Sequence, residues 1–402
     1  VAAADLDGDG DLDVLSASEG DNKVAWYENL DGAGTFGIQR VISTAATGAR
    51  WVAAADLDGD GDLDLLSASA LDDKIAWYEN TDGAGTFGIQ QVISIAADGA
   101  YSVAAADLDG DGDLDVLSTS IGDDKVAWYE NADGAGTFGT QRVISTAGDG
   151  VLSACAVDLD LDGDLDILSA SNYDDEIAWY ENTDGAGTFG AQQVISASAD
   201  GAYAVAAADL DRDGDPDAVS VSYGDFQIAW YENRTIHGSA AFPGQSAISS
   251  TVDMASSVAA EDLDGDGDSD VFFTSFLEDE VGWYENLDGE GAFGAERVVT
   301  TAANGVYVAA AADLDRDGDP DLLSASFNDD KIAWYENLDG AGTFGSQRVI
   351  STAAAGARSV IAGDLDGDGD LDVLSASLND DRIAWYENLD GAGTFGPQQV
   401  IS

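Results

Sequence analysis

Nine-residue stretches of the form D-L-D-x-D-G-D-x-D recur eight times in this 402-residue chain, starting at Asp5, Asp56, Asp107, Asp158, Asp209, Asp262, Asp313 and Asp364. Carboxylates on alternate residues, with glycine at the sixth place, are the chemistry of a loop folded around one hard cation. Calcium takes about six to eight oxygen ligands at roughly 2.3–2.6 Å in irregular geometry, whereas magnesium demands a near-ideal octahedron and keeps its waters. In the first copy Asp5, Asp7 and Asp9 offer side-chain oxygens, Gly10 permits the sharp turn, Asp11 offers its backbone carbonyl and Asp13 closes the shell. One His, His237, and one Cys, Cys155, cannot furnish eight zinc or copper sites. About eight calcium ions, one per copy, are therefore expected.

The same assignment carries through the remaining copies. The second set is Asp56, Asp58, Asp60, Asp62 and Asp64, and the third Asp107, Asp109, Asp111, Asp113 and Asp115. The fourth is Asp158, Asp160, Asp162, Asp164 and Asp166, and the fifth Asp209, Asp211, Asp213, Asp215 and Asp217. The sixth is Asp262, Asp264, Asp266, Asp268 and Asp270, and the seventh Asp313, Asp315, Asp317, Asp319 and Asp321. Asp364, Asp366, Asp368, Asp370 and Asp372 complete the eighth. Leu161, Arg212 and Arg316 replace the glycine at the fourth place, and Pro216 and Pro320 stand at the eighth, neither of them a ligand position. An EF-hand would need a twelfth-place Glu between two helices; here the ninth residue is Asp and the flanks, VAAA and VLSAS, read as strands.

Six of the seven intervals between loop starts are 51 residues and the other is 53, so one structural unit is copied eight times. Each unit offers four short strand candidates rich in β-branched and aromatic residues. In the second copy these are WVAAAD from Trp51, DLLSAS from Asp64, KIAWYEN from Lys74 and QQVIS from Gln90. The acidic loop, the hairpin Leu71-Asp72-Asp73, the glycine-rich segment from Thr81 to Gly88 and the link IAADGA join them. A four-stranded sheet cannot bury two apolar faces alone, and radial packing of neighbours solves this. The Ala-rich first strand suits a crowded inner place, and Trp77 and Tyr78, on opposite faces of the third, fill both sides. The expected fold is all-β: one eight-bladed propeller of four-stranded antiparallel blades over residues 1–402. Its blades run approximately 1–46, 47–97, 98–148, 149–199, 200–252, 253–303, 304–354 and 355–402.

The DLDGDGDLD loop, the inner VAAADL strand and the recurrent GTFG resemble the FG-GAP/VCBS repeat family, similar to the calcium-bearing blades of integrin α-subunit propellers. That resemblance covers essentially the whole chain. It implies a metal loop between the first and second strands of each blade, an extracellular, secreted or surface location, and roles in adhesion, ligand binding or surface architecture.

Composition excludes other functions. With 14 basic residues against 79 acidic ones the formal charge is −65, which rules out nucleic-acid and anionic-membrane surfaces. Forty of the acids lie in the loops, and eight divalent ions would bring the charge only to −49. Two carboxylates ~5 Å apart repel by about 0.8 kcal/mol even at the dielectric constant of water, so the loops are expected to open without metal. A hydrophobic content of 45% argues against disorder. No apolar stretch reaches membrane-spanning length, and Val1 in place of an initiator Met is expected of a mature chain or a fragment. Cys155 stands where other copies have Ala and is expected to be a buried, inert thiol. Asn233-Arg234-Thr235 is a possible N-glycosylation site.

Three function classes follow. A rigid structural or adhesive scaffold, binding other extracellular proteins or self-assembling, is favoured by the sameness of the repeats. A calcium-dependent glycan-binding module is the alternative, although eight of the nine Trp fall in the core-like AWYEN register and only Trp51 stands outside it. An enzyme acting on polysaccharides ranks third, because general acid–base catalysis wants a unique constellation and Glu28, Glu79, Glu130, Glu181, Glu232, Glu285, Glu336 and Glu387 recur eightfold. The irregular segment from Arg234 to Gly244, which holds His237, is the one candidate for a unique partner site.

Overall fold

The computed structural model describes residues 1–235 and 239–402. His237 therefore lies outside the described residues. Among those described there are 32 strands and no helix, arranged as eight four-stranded sheets whose strands follow chain order. The architecture is an eight-bladed β-propeller, with one antiparallel blade per repeat.

The second blade shows why each repeat folds as it does. Its strands are Ala49–Ala55, Asp64–Ser69, Lys74–Tyr78 and Gln91–Ser94. The first strand begins two residues earlier than the sequence suggested, because a bulge lets Ala49 pair with Ser69 while Trp51 pairs with Ala68, leaving Arg50 as the extra residue. The tight hairpin between the second and third strands places Asp73 at φ 60°. Asp and Asn tolerate this left-handed conformation better than other non-glycine residues. The Asp73 carboxylate also accepts the Gly99 N–H at 3.1 Å, tying the hairpin to the link into the third blade. Asn22 does the same for Gly48 at 2.8 Å.

The chain forms two compact units. In the first, which carries blades one to four apart from the segment 29–38, the core is a series of apolar layers between successive blades. Leu6, Leu15, Val24 and Trp26 of the first blade meet Ala49, Leu65, Tyr78 and Phe87 of the second. Trp77 lies in the next layer, against Tyr129 and Phe138 of the third blade. Trp77 and Tyr78 thus cover opposite faces, as strand alternation requires. In the second unit, Trp283 packs with Tyr335 and Phe344, and Trp334 with Tyr386 and Phe395. Residues 29–38 belong to this unit, and Phe36 meets Trp385 edge-on at 6.1 Å.

The recurrent GAGTFG segment supplies the joint between blades. Trp26 meets Phe87 edge-on at 6.0 Å, and the indole lies so close over Gly85, at φ 71°, that a Cβ there would overlap the ring. The same contact joins Trp77 to Gly136 and Phe138, and Trp128 to Gly187 and Phe189. All eight AWYEN-type Trp are at most 6% exposed, whereas Trp51 is 48% exposed.

Gly85→Ala combines overpacking with a left-handed alanine. It should lower the unfolding free energy by about 1–3 kcal/mol in denaturant titrations, while Ala84→Ser beside it should change it by less than about 0.5 kcal/mol. Equal stability of Gly85→Ala and the parent would contradict the joint described here.

Candidate metal centre

Each acidic loop leaves the first strand of a blade and enters the second. In the second blade, Asp56 accepts the Gly59 N–H at 2.8 Å on Oδ1 and the Gly61 N–H at 3.1 Å on Oδ2. Asp58 accepts the Asp60 N–H at 3.3 Å, and Asp60 the Asp62 N–H at 3.0 Å. Asp64, fully buried, accepts the Leu57 N–H at 3.0 Å and the Asn80 N–H at 2.7 Å. These bonds coil the backbone around its own carboxylates and aim the remaining lone pairs inward.

The fourth and sixth places of the loop are both left-handed, as with Gly59 at φ 73° and Gly61 at φ 95°. Leu161, Arg212 and Arg316 keep the fourth place at φ 59–62°, a conformation costing L-residues roughly 1–2 kcal/mol. The two arginines offset this with ion pairs to the next blade, Arg212 with Asp268 and Arg316 with Asp370.

Oxygens of the first, third and ninth aspartates converge to within 4.8 Å of one another in Asp5, Asp7 and Asp13, in Asp56, Asp58 and Asp64, in Asp107, Asp109 and Asp115, and in Asp158, Asp160 and Asp166. In the fifth loop the converging set is Asp209, Asp211 and Asp213. The seventh aspartate points elsewhere: the Asp62 carboxylate lies against Gly83, so only its backbone carbonyl remains for a ligand shell. The fifth-place Asp60 is exposed at the rim.

The donor set fits a metal ion. Buried oxygens of Asp7, Asp109, Asp158, Asp160, Asp313 and Asp364 have no hydrogen-bond partner, and buried polar atoms left in this condition are costly. Burial, reinforced by neighbouring carboxylates, pushes Asp160 up to about 6. Burial likewise pushes Asp64, Asp115, Asp166, Asp217, Asp270, Asp321 and Asp372 up to about 7, against the pull of the backbone N–H groups they accept. Each blade thus carries an acidic cluster that could hold a metal ion.

The sequence reading missed the residue that joins one loop to the next. Asn80, which binds Asp64 of its own blade through its N–H, donates its side-chain amide to the Leu6 carbonyl in the preceding loop at 2.7 Å. Asn131 reaches Leu57, Asn182 reaches Leu108, Asn286 reaches Leu210, Asn337 reaches Leu263 and Asn388 reaches Leu314, all at 2.6–2.8 Å. In the second unit Asn29 donates to Leu365 at 2.6 Å. The available signal was an Asn sixteen residues after the ninth aspartate in every copy.

Asn233, the possible N-glycosylation site, is this residue in the fifth blade. It is fully buried, and its amide nitrogen donates to the Pro216 carbonyl at 3.0 Å. Thr235 takes over the reach to the preceding loop, donating to the Leu159 carbonyl at 2.9 Å. Cys155 is partly buried, which pushes its thiol up to about 11 and keeps it un-ionised. A cavity of about 200 Å³ beside the third and fourth loops is lined by Asp107, Asp164 and Asn182 with Gly and Leu, and holds no Glu, Arg or His.

The FG-GAP-like repeat model matches residues 5–67, 60–118, 114–169, 158–220, 209–273, 262–324, 313–375 and 364–402. No curated protein matches the chain at a significant level. Among solved structures, an Agrocybe aegerita lectin that recognises non-reducing terminal N-acetylglucosamine is similar at TM-score 0.55 and 18% identity, over 97% of this chain and 89% of that one. A BBS1N–ARL6DN complex is similar at TM-score 0.49 and 11% identity, over 90% of this chain and 94% of that one. The biofilm matrix protein Bap1 of V. cholerae is similar at TM-score 0.44 and 15% identity, over 99% of this chain and 76% of that one.

The metal-free chain should show an inverted pH response. Folded-state values near 7, against about 3.9 in unfolded chains, mean that the folded form holds protons the unfolded form has released between about pH 4 and 7. Stability then falls as pH rises through that window. In chelator, the urea midpoint should be higher at pH 5 than at pH 7.5; the opposite order would contradict the burial assigned to the ninth aspartates.

Proposed function

The chain belongs to the FG-GAP-like repeat family, and from that premise we propose that it is a calcium-stabilised extracellular scaffold, structural or adhesive, that binds other surface or matrix proteins. Calcium is favoured over other ions by the all-oxygen donor set, the irregular loop and the backbone carbonyl left at the seventh place. Extracellular modules of this affinity class work at about millimolar calcium, which is the basis for the assigned location.

One observation carries the binding role: apart from the segment Arg234 to Gly244 and single replacements within the acidic loops, the repeats diverge mainly at one end of the blade. In the second blade Ala55 pairs with Asp64 at the metal-loop end, and Ala49 with Ser69 at the opposite end. At that opposite end the residue in the first-strand bulge is Arg50, Tyr101, Leu152, Ser256, Tyr307 or Arg358 in successive described cases. The adjoining hairpin tips are equally varied, with Ala70-Leu71, Ile121-Gly122, Asn172-Tyr173, Phe276-Leu277 and Leu378-Asn379. Bulges re-aim side chains, and here they bring neighbours together: Arg50 lies 4.2 Å over the Tyr101 ring, and Phe276 meets Tyr307 at 6.5 Å. Copies that are largely alike at the acidic loops and differ at the opposite end, where Arg50, Trp51, Tyr173 and Arg358 are exposed, suit a scaffold with a tailored recognition surface.

Catalysis is not assigned, because the carboxylates near the loops repeat eightfold. Glycan binding is the second reading, favoured by the exposed rings of Trp51 and Tyr173 at the divergent end; a glycan array without calcium-dependent signals would remove it.

At a calcium concentration ~100-fold above the dissociation constant, eight sites contribute at most roughly 20 kcal/mol. Chelation should therefore lower the melting temperature by roughly 20 °C in a chain of this size, and an unchanged melt would refute the calcium assignment. Adhesion of cells displaying the chain to a protein matrix should fall at least about tenfold in the variant Arg50→Ala, Trp51→Ala, Tyr101→Ala, Tyr173→Ala, whose calcium-dependent melt should stay intact. Undiminished adhesion would place recognition elsewhere.

A further inference from the structure

Two of the acidic loops meet a cation that the chain itself supplies. A Cβ placed on the fourth-place Gly59 or Gly265 would lie 3.0–3.1 Å from a backbone carbonyl oxygen of the blade that follows, so a side chain at this position is aimed at the next blade. Arg212 and Arg316 occupy the position in the fifth and seventh loops, and each extends into the loop after its own. The Arg212 guanidinium pairs with the seventh-place Asp268 of the sixth loop and donates to the Asp266 carbonyl at 3.4 Å. Arg316 pairs with the equivalent Asp370 of the eighth.

Each guanidinium also lies over the sixth-place glycine of the loop it enters. A Cβ at Gly267 would come within 2.9 Å of Arg212 Nη2 and one at Gly369 within 2.7 Å of Arg316 Nη2, whereas at Gly61, Gly112, Gly163 and Gly318 it would meet nothing within 4 Å. Asp268 and Asp370 are buried beneath this cover, while Asp62, Asp113, Asp164 and Asp319 are half-buried. The seventh-place carboxylate faces away from the oxygens that converge: Asp268 lies against Gly289 and Asp370 against Gly391, as Asp62 lies against Gly83. The arginine therefore takes no oxygen from the candidate ligand set and acts on it through charge.

A fixed positive charge relieves the mutual repulsion of the empty loop and repels an ion that enters it, and both effects weaken binding. On the calcium reading above, we propose that Arg212 and Arg316 make loops six and eight weaker calcium sites than loops two, three, four and seven. Each guanidinium side chain is 48% exposed, so water and salt screen it and hold the difference to about tenfold.

The test is diffraction from crystals of the full chain equilibrated at graded calcium concentrations, with the occupancy of each loop refined separately. In the parent, loops six and eight should reach half-occupancy at about tenfold higher calcium than loops two, three, four and seven. Arg212→Gly installs the residue that five other loops carry at this place and suits its left-handed backbone. It should close the gap at loop six and leave it at loop eight, and Arg212→Gln, which keeps a polar side chain without the charge, should do the same. Equal half-occupancy concentrations across these loops in the parent, or a gap at loop six that survives in either variant, would overturn the proposal. Loops that all stay empty at saturating calcium would instead defeat the calcium reading, and this inference with it.

Discussion

The structure depends on gathering like charges into a small space. Each loop uses backbone N–H groups to fix its carboxylates from outside, and the fully buried ninth aspartate, Asp64 in the second blade, accepts two of them at once. What remains inside is a set of oxygens within 4.8 Å of one another, some of them buried with no donor to meet. Repulsion at such separations, in surroundings drier than water, is larger than a surface charge pair would suggest. Such an arrangement is relieved by positive charge at its centre, which a metal ion or protons on the carboxylates would supply.

The consequences run outward from there. Because the ninth aspartate also holds the N–H of Asn80, and the Asn80 side chain reaches the Leu6 carbonyl of the previous loop, ordering one loop fixes a point on its neighbour. The apolar joint made by Trp26, Gly85 and Phe87 lies between the same two blades. Polar and apolar ties therefore repeat together, and their sameness from copy to copy explains why the metal-loop end tolerates so little change. The opposite end is free of this constraint, and there the side chains differ from blade to blade.

Much of this was legible in the sequence. The 51-residue period, the aspartate ladder and the placement of Trp77 and Tyr78 on opposite faces follow from spacing alone, because strand alternation and glycine conformation are local properties. Contacts between blades were not legible. The bond from Asn80 to Leu6 spans 74 residues, and nothing local to the Asn distinguishes it from a turn residue. Arg50 reads as an ordinary strand residue until the register shows the bulge. Asn233 looks like a surface sequon because its triplet is local, while it is buried and donates to the Pro216 carbonyl.

The central claim is that ions held in the loops keep the blades together. Native mass spectrometry tests it most directly, by weighing the intact chain with and without calcium. Eight calcium ions per chain at millimolar calcium, lost on chelation together with a shift to the high charge states of an opened chain, is the result this account predicts. A compact chain that retains no calcium and keeps the same charge-state distribution in chelator would contradict it.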